Sequence, residues 1–75
     1  MSKLTSLPTN RVIKALLRAG WQMRAGAGAK HHVLNNPKIP GILTVPRHPK
    51  VQKGTLFKII RQAGLSVDEF RRLYR

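Results

Sequence analysis

The sequence predicts one α+β domain in which a three-stranded antiparallel sheet carries its helices on one face, and three observations predict it. Val12, Ile13, Leu16 and Leu17 recur at helical spacing, and so do Leu56, Phe57, Ile59, Ile60 and Ala63. Between them lie three short runs with the alternation or β-branching of strands: 21–24, 31–35 and 42–45. The joints are rich in glycine, asparagine and proline, the residues of turns. A chain of 75 residues holds one such domain, with a small core.

Residues 1–8 carry no apolar period and read as a loose lead-in to a single domain over 9–75. Thr9 is placed to cap a first helix running to Ala19, and Gly20 supplies the left-handed residue that ends it. Arg11, Lys14 and Arg18 share one stripe of this helix and read as a solvated face. Trp21 to Arg24 alternates as a strand, with Trp21 read as core, and 25–29 is a small-residue hairpin loop. Along 31–35, His31 and Val33 fall on one face and His32 and Leu34 on the other, because successive strand side chains point oppositely. One histidine therefore faces the helices and the other faces away. The segment 35–41 is a turn, and Ile42 to Val45 is a strand stopped by Pro46. Arg47 to Lys53 is a basic loop before the helix that Gly64 closes, with Phe57 in its core stripe. Ser66 with Glu69 three residues on forms a capping box for a last helix over 67–73, where Phe70 and Leu73 pack inward. The resulting α-β-β-β-α order is that of the double-stranded-RNA-binding domain.

Fifteen Lys and Arg against Asp68 and Glu69 leave a net charge of +13. That charge calls for a polyanion or an acidic protein as partner and repels a second copy, so the free chain is expected to be a monomer. No apolar span or long amphipathic basic helix suggests a membrane, and no apolar leader suggests secretion. With no cysteine, the cytoplasm is the expected compartment.

Metal chemistry lacks ligands: the two acids sit side by side on the last helix, Glu69 is needed for capping, and His31 and His32 diverge. No cofactor is expected. Triads lack both a cysteine and an acid to orient a histidine. RNA, however, brings its own nucleophile in the 2′-hydroxyl. Cleaving it needs a proton carrier and cations that stabilise the charge on the phosphate. A strand histidine is usually structural, but His31 follows a Gly-rich loop, adjoins Lys30, and stands in a chain poor in acids. It is the candidate acid or base, with Arg24, Lys30, Arg47, Lys50 and Lys53 as phosphate-binding residues. His48, between Arg47 and Pro49, reads as a residue that orients its loop.

Leu17-x-x-Gly20-Trp21, Gly28-Ala29-Lys30-His31-His32, Asn36-Pro37, Val45-Pro46-Arg47-His48, Gly54-Thr55-Leu56 and Ile59-Ile60-Arg61-Gln62-Ala63-Gly64-Leu65-Ser66 occur in an order and spacing that resemble the HicA-type mRNA interferase toxins. The resemblance covers about residues 9 to 70. It implies a fold like the double-stranded-RNA-binding domain, ribosome-independent cleavage of mRNA, and neutralisation by an acidic HicB-type antitoxin that covers the site. The family's catalytic histidine follows the glycine loop, a place His31 takes when His32, Val33 and Pro37 are kept in register. The commonest family form is Gly-Ser-His, whereas here Ala29 and Lys30 intervene, so His32 stands as the alternative. The other functional class open to this sequence is a non-catalytic basic RNA-binding module.

Overall fold

In the first helix the apolar stripe does what its spacing dictates: Val12, Ala15 and Leu16 are fully buried and Ile13 nearly so. The computed structural model describes residues 5–24 and 30–75. The element order is β1 (Leu7–Pro8), α1 (Thr9–Arg18), β2 (Gln22–Met23), β3 (His31–Asn36), β4 (Ile39–Pro46), β5 (Lys50–Val51), α2 (Lys53–Gln62) and α3 (Val67–Tyr74). The expected hairpin loop at 25–29 lies outside the described residues.

Both long helices end as their glycines require. Gly20 and Gly64 have φ of +102° and +76°. The N–H groups of Gly20 and Trp21 donate to the carbonyls of Leu17 and Leu16, and those of Gly64 and Leu65 to Arg61 and Ile60. Each pair is a Schellman motif that satisfies the last helical carbonyls.

The start of α1 differs from the expected cap. Pro8 occupies the cap position and Thr9 is the first helical residue. The Thr9 hydroxyl donates to the His48 carbonyl and its N–H to that of Pro49, at 3.0 Å for the latter. Proline offers no side-chain acceptor, so the buried threonine instead ties the 47–49 turn to the helix start. Beside it, Leu7 and Pro8 pair antiparallel with Val51 and Lys50. Part of the expected basic loop is thus a strand, and it inserts Val51 into the core.

The main sheet is antiparallel in the order β2-β3-β4. β4 begins at Ile39 rather than Ile42. Its ladder runs regularly from His31↔Pro46 to Asn35↔Ile42, then jumps to Asn36↔Ile39. The jump leaves Pro40, which has no ladder donor, and Gly41, at φ +91°, as an irregularity inside the strand. At the turn, Asn36 Oδ1 accepts from the Lys38 N–H at 2.9 Å.

Leu34, Leu43 and Val45 on one sheet face meet Val12, Leu16, Trp21, Leu56, Ile59, Ile60 and Phe70 in a single core. Phe57 is a correction to the expected core stripe, being 41% exposed. Leu56, Ile59, Ile60 and Ala63 already fill the inward arc, and Phe57 stands about 100° around the helix from Leu56. The α1 stripe is also more than a solvated face. Arg18 Nη1 donates to the carbonyls of Leu73 (2.6 Å) and Arg75 (2.8 Å), and the Arg11 guanidinium lies 4.4 Å from the centroid of the Tyr74 ring. Cations at the C-terminal end of α3 are favoured by its dipole.

The capping box of α3 is complete. Ser66 Oγ accepts from the Glu69 N–H at 3.1 Å, and Glu69 Oε1 accepts from the Ser66 N–H at 2.8 Å. These bonds hold the Glu69 carboxyl below its ordinary value. Ser66→Ala should destabilise the domain by about 1 kcal/mol. A thermal melt should show the midpoint falling by roughly 4–8 °C for a domain of this size.

Candidate functional site

The face of the sheet turned away from the helices, bare among the described residues, is set by strand parity. Leu34 and His32 point toward the helices, so His31, Val33 and Asn35 of the central strand point away. Directly paired residues share a face, which adds Ile42, Thr44 and Pro46 from β4 and Gln22 from β2. The Arg24 N–H donates to the Val33 carbonyl at 2.8 Å, continuing the ladder and setting Arg24 one row from His31.

His31 is exposed at the first position of β3, opposite Pro46. On the next row outward the Arg47 N–H donates to the Lys30 carbonyl at 3.1 Å. The structure therefore gathers Arg24, Lys30, His31 and Arg47 at one end of the sheet. Lys50 and Lys53 are not drawn into that row: Lys50 is in the separate β1–β5 ladder and Lys53 opens α2. The His48 carbonyl takes the Thr9 hydroxyl, which fixes the turn that carries Arg47.

His32 has a different environment from its neighbour. Its Nδ1 is buried without a hydrogen-bond partner among the described residues. Burial first, and the Arg47 charge second, push its pKa below the ordinary 6.5. Arg47 thus acts on the helix-facing side of the strand, while Arg24 shares the outer side with His31. The unfolded chain binds a proton at His32 more readily than the fold does. Stability from this group is therefore present above about pH 6.5 and is lost as pH falls through the lower folded value. Melts between pH 7.5 and 5 should show a falling midpoint whose slope is smaller in His32→Leu. An unchanged slope would mean that His32 is not held neutral.

Both carboxylates are on α3, where Glu69 closes the cap and Asp68 lies 3.9 Å from Arg71. The donor set at the sheet end is imidazole and cation, which suits a phosphodiester and offers a hard divalent ion no carboxylate. The sequence reading missed Gln22, Asn35 and Thr44, which line the outer face. Their only signal is parity, and parity becomes useful once the register is known.

Residues 9–65 match the family model described as HicA toxin of bacterial toxin-antitoxin, a match that runs from the start of α1 through the Schellman motif after α2. A comparison with curated proteins finds no match.

Proposed function

The chain belongs to the HicA toxin family and is the toxin of a bacterial toxin–antitoxin system, and on that premise we propose that it is a metal-independent mRNA endonuclease using His31 as general acid or base. The observation that carries the reading is the exposure of His31 on the outer sheet face, one row from Arg24 and next to Lys30. A polymer can reach that imidazole. The half-buried His32, with its Nδ1 enclosed, is worse placed for proton exchange with a substrate.

The 2′-oxygen attacks the adjacent phosphorus as the bond from phosphorus to the 5′-oxygen breaks. This leaves a 2′,3′-cyclic phosphate on one fragment and a 5′-hydroxyl on the other. The 2′-hydroxyl proton departs and the 5′-oxygen gains one; His31 carries one of these transfers and water serves the other. Arg24, on the same face as His31, stabilises the charge that builds on the phosphate oxygens, and Lys30 and Arg47, of the opposite parity at the sheet end, bind the strand where it passes round that end. Lys50 and Lys53 bind the strand farther from the cut, as a cationic track.

The family implies a cognate antitoxin. An acidic HicB-type partner covering the cationic sheet end would complement the +13 charge of a monomeric toxin. Among the described residues no helix is long and apolar enough to cross a membrane. We place the activity in the cytoplasm, where mRNA is.

Purified protein mixed with single-stranded mRNA in excess EDTA should produce discrete fragments on a denaturing gel. Intact RNA that nevertheless shifts on a native gel would instead identify a non-catalytic RNA-binding module.

A further inference from the structure

Resting on the nuclease reading above, we propose that single-stranded RNA lies across the bare face of the sheet, and that Gln22, Asn35 and Thr44 read the bases next to the cut. The register orders this face into rows. His31 and Pro46 form the first; Arg24, Val33 and Thr44 the second; Gln22, Asn35 and Ile42 the third. Successive rows on one face are about 7 Å apart, and neighbouring strands about 4.8 Å. A strand held with its scissile phosphate at His31 therefore lays its adjoining nucleotides over the second and third rows.

Those rows hold the chemistry of base recognition. The side-chain amides of Gln22 and Asn35 each offer donors and an acceptor, and the Thr44 hydroxyl offers both. Such amides pair bidentately with base edges. Gln22 and Thr44 are exposed and Asn35 half-buried, and among the described residues none of the three side chains makes a hydrogen bond. Asn36, of the opposite parity, has its amide oxygen committed to the Lys38 N–H. Ile42, 55% exposed, and Val33 give base faces an apolar surface where other sheet-based RNA readers present aromatics.

Charge and continuity select the occupant. Arg24 lies within the face, Lys30 and Arg47 stand just beyond its first row on the opposite parity, and both carboxylates of the chain are on α3. The α1 surface is cationic too, but Asn10 is its one amide, and Arg11 and Arg18 are engaged with the end of α3.

The test compares wild type with Gln22→Ala/Asn35→Ala and Thr44→Val, using Lys58→Ala on the exposed side of α2 as comparator. Fragment ends from a mixed-sequence RNA are mapped. The face variants should flatten the distribution of cut sites, lowering kcat/KM about tenfold or more at the favoured sites and least at the poor ones. Lys58→Ala should keep the wild-type distribution. Wild-type cleavage with an unaltered distribution in the face variants would overturn this proposal and leave the nuclease reading standing. Wild type that does not cut would overturn the nuclease reading. A second arm then decides this one, with binding to 2′-deoxy oligonucleotides of differing sequence. Loss of sequence discrimination in the face variants supports the reading face, and unchanged discrimination overturns it. Circular dichroism and melts confirm that each variant is folded.

Discussion

His31→Ala should lower the rate of RNA cleavage by at least about 100-fold, the scale of a lost general acid or base. Affinity for an uncleavable RNA should stay within a few-fold of wild type. The split follows from position: His31 is exposed at a strand start and its side chain makes no hydrogen bond among the described residues, so its removal leaves the ladder intact and the cations in place. His32→Ala should act in the opposite sense. That side chain is half-buried opposite Val45, so its loss should lower stability more than the rate of the folded protein. Single-turnover cleavage beside a binding titration separates the two. A His31→Ala protein that cuts at the wild-type rate would remove His31 from the chemistry.

Phe70→Ala should be the most damaging change to the fold, costing about 3–5 kcal/mol. Phe70 is fully buried in α3, its ring 5.8 Å from that of Tyr74. Domains have about 5–15 kcal/mol of net stability, and small ones lie toward the low end. The variant should lose most of its cooperative melt near 37 °C. The result matters because α3 lies beyond the residues that match the family, 9–65, yet contributes the largest fully buried side chain of the core. A variant that melts like wild type would show that α3 packs elsewhere.

Much of this arrangement was legible because certain residues admit few conformations. Gly20 and Gly64 mark helix ends since a left-handed residue is needed there, and Ser66 with Glu69 marks a start since both side chains have a backbone partner at that spacing. Strand alternation separated His31 from His32 before any register was known. The β1–β5 ladder was not legible: two residues per strand have no period to read. Thr9 carries the signal of a cap, but which acceptor its hydroxyl finds depends on a turn 39 residues away. Pro40 and Gly41 read as a turn, whereas the sheet absorbs them as an irregularity within β4. Phe57 looked like core because it falls among Leu56, Ile59, Ile60 and Ala63; only packing decides which arc is filled.

The candidate site divides the same way. Lys30 and Arg24 were identified together as cations beside His31. Arg47 joins them through a ladder bond that the basic run did not specify, and Lys50 and Lys53 follow β5 and α2 away from the row. Gln22, Asn35 and Thr44 come from three different strands, and only the register places them on one face.

The central claim is that the RNA supplies the nucleophile and His31 moves a proton for it. Its most direct measurement is cleavage, in EDTA, of a single-stranded RNA with one 2′-deoxy nucleotide on the 5′ side of the favoured cut. Cleavage at that bond should cease while binding stays unchanged and other sites are still cut. If the bond is still broken at the same rate, the attacking group is not the 2′-hydroxyl, and the mechanism assigned to this sheet face is wrong.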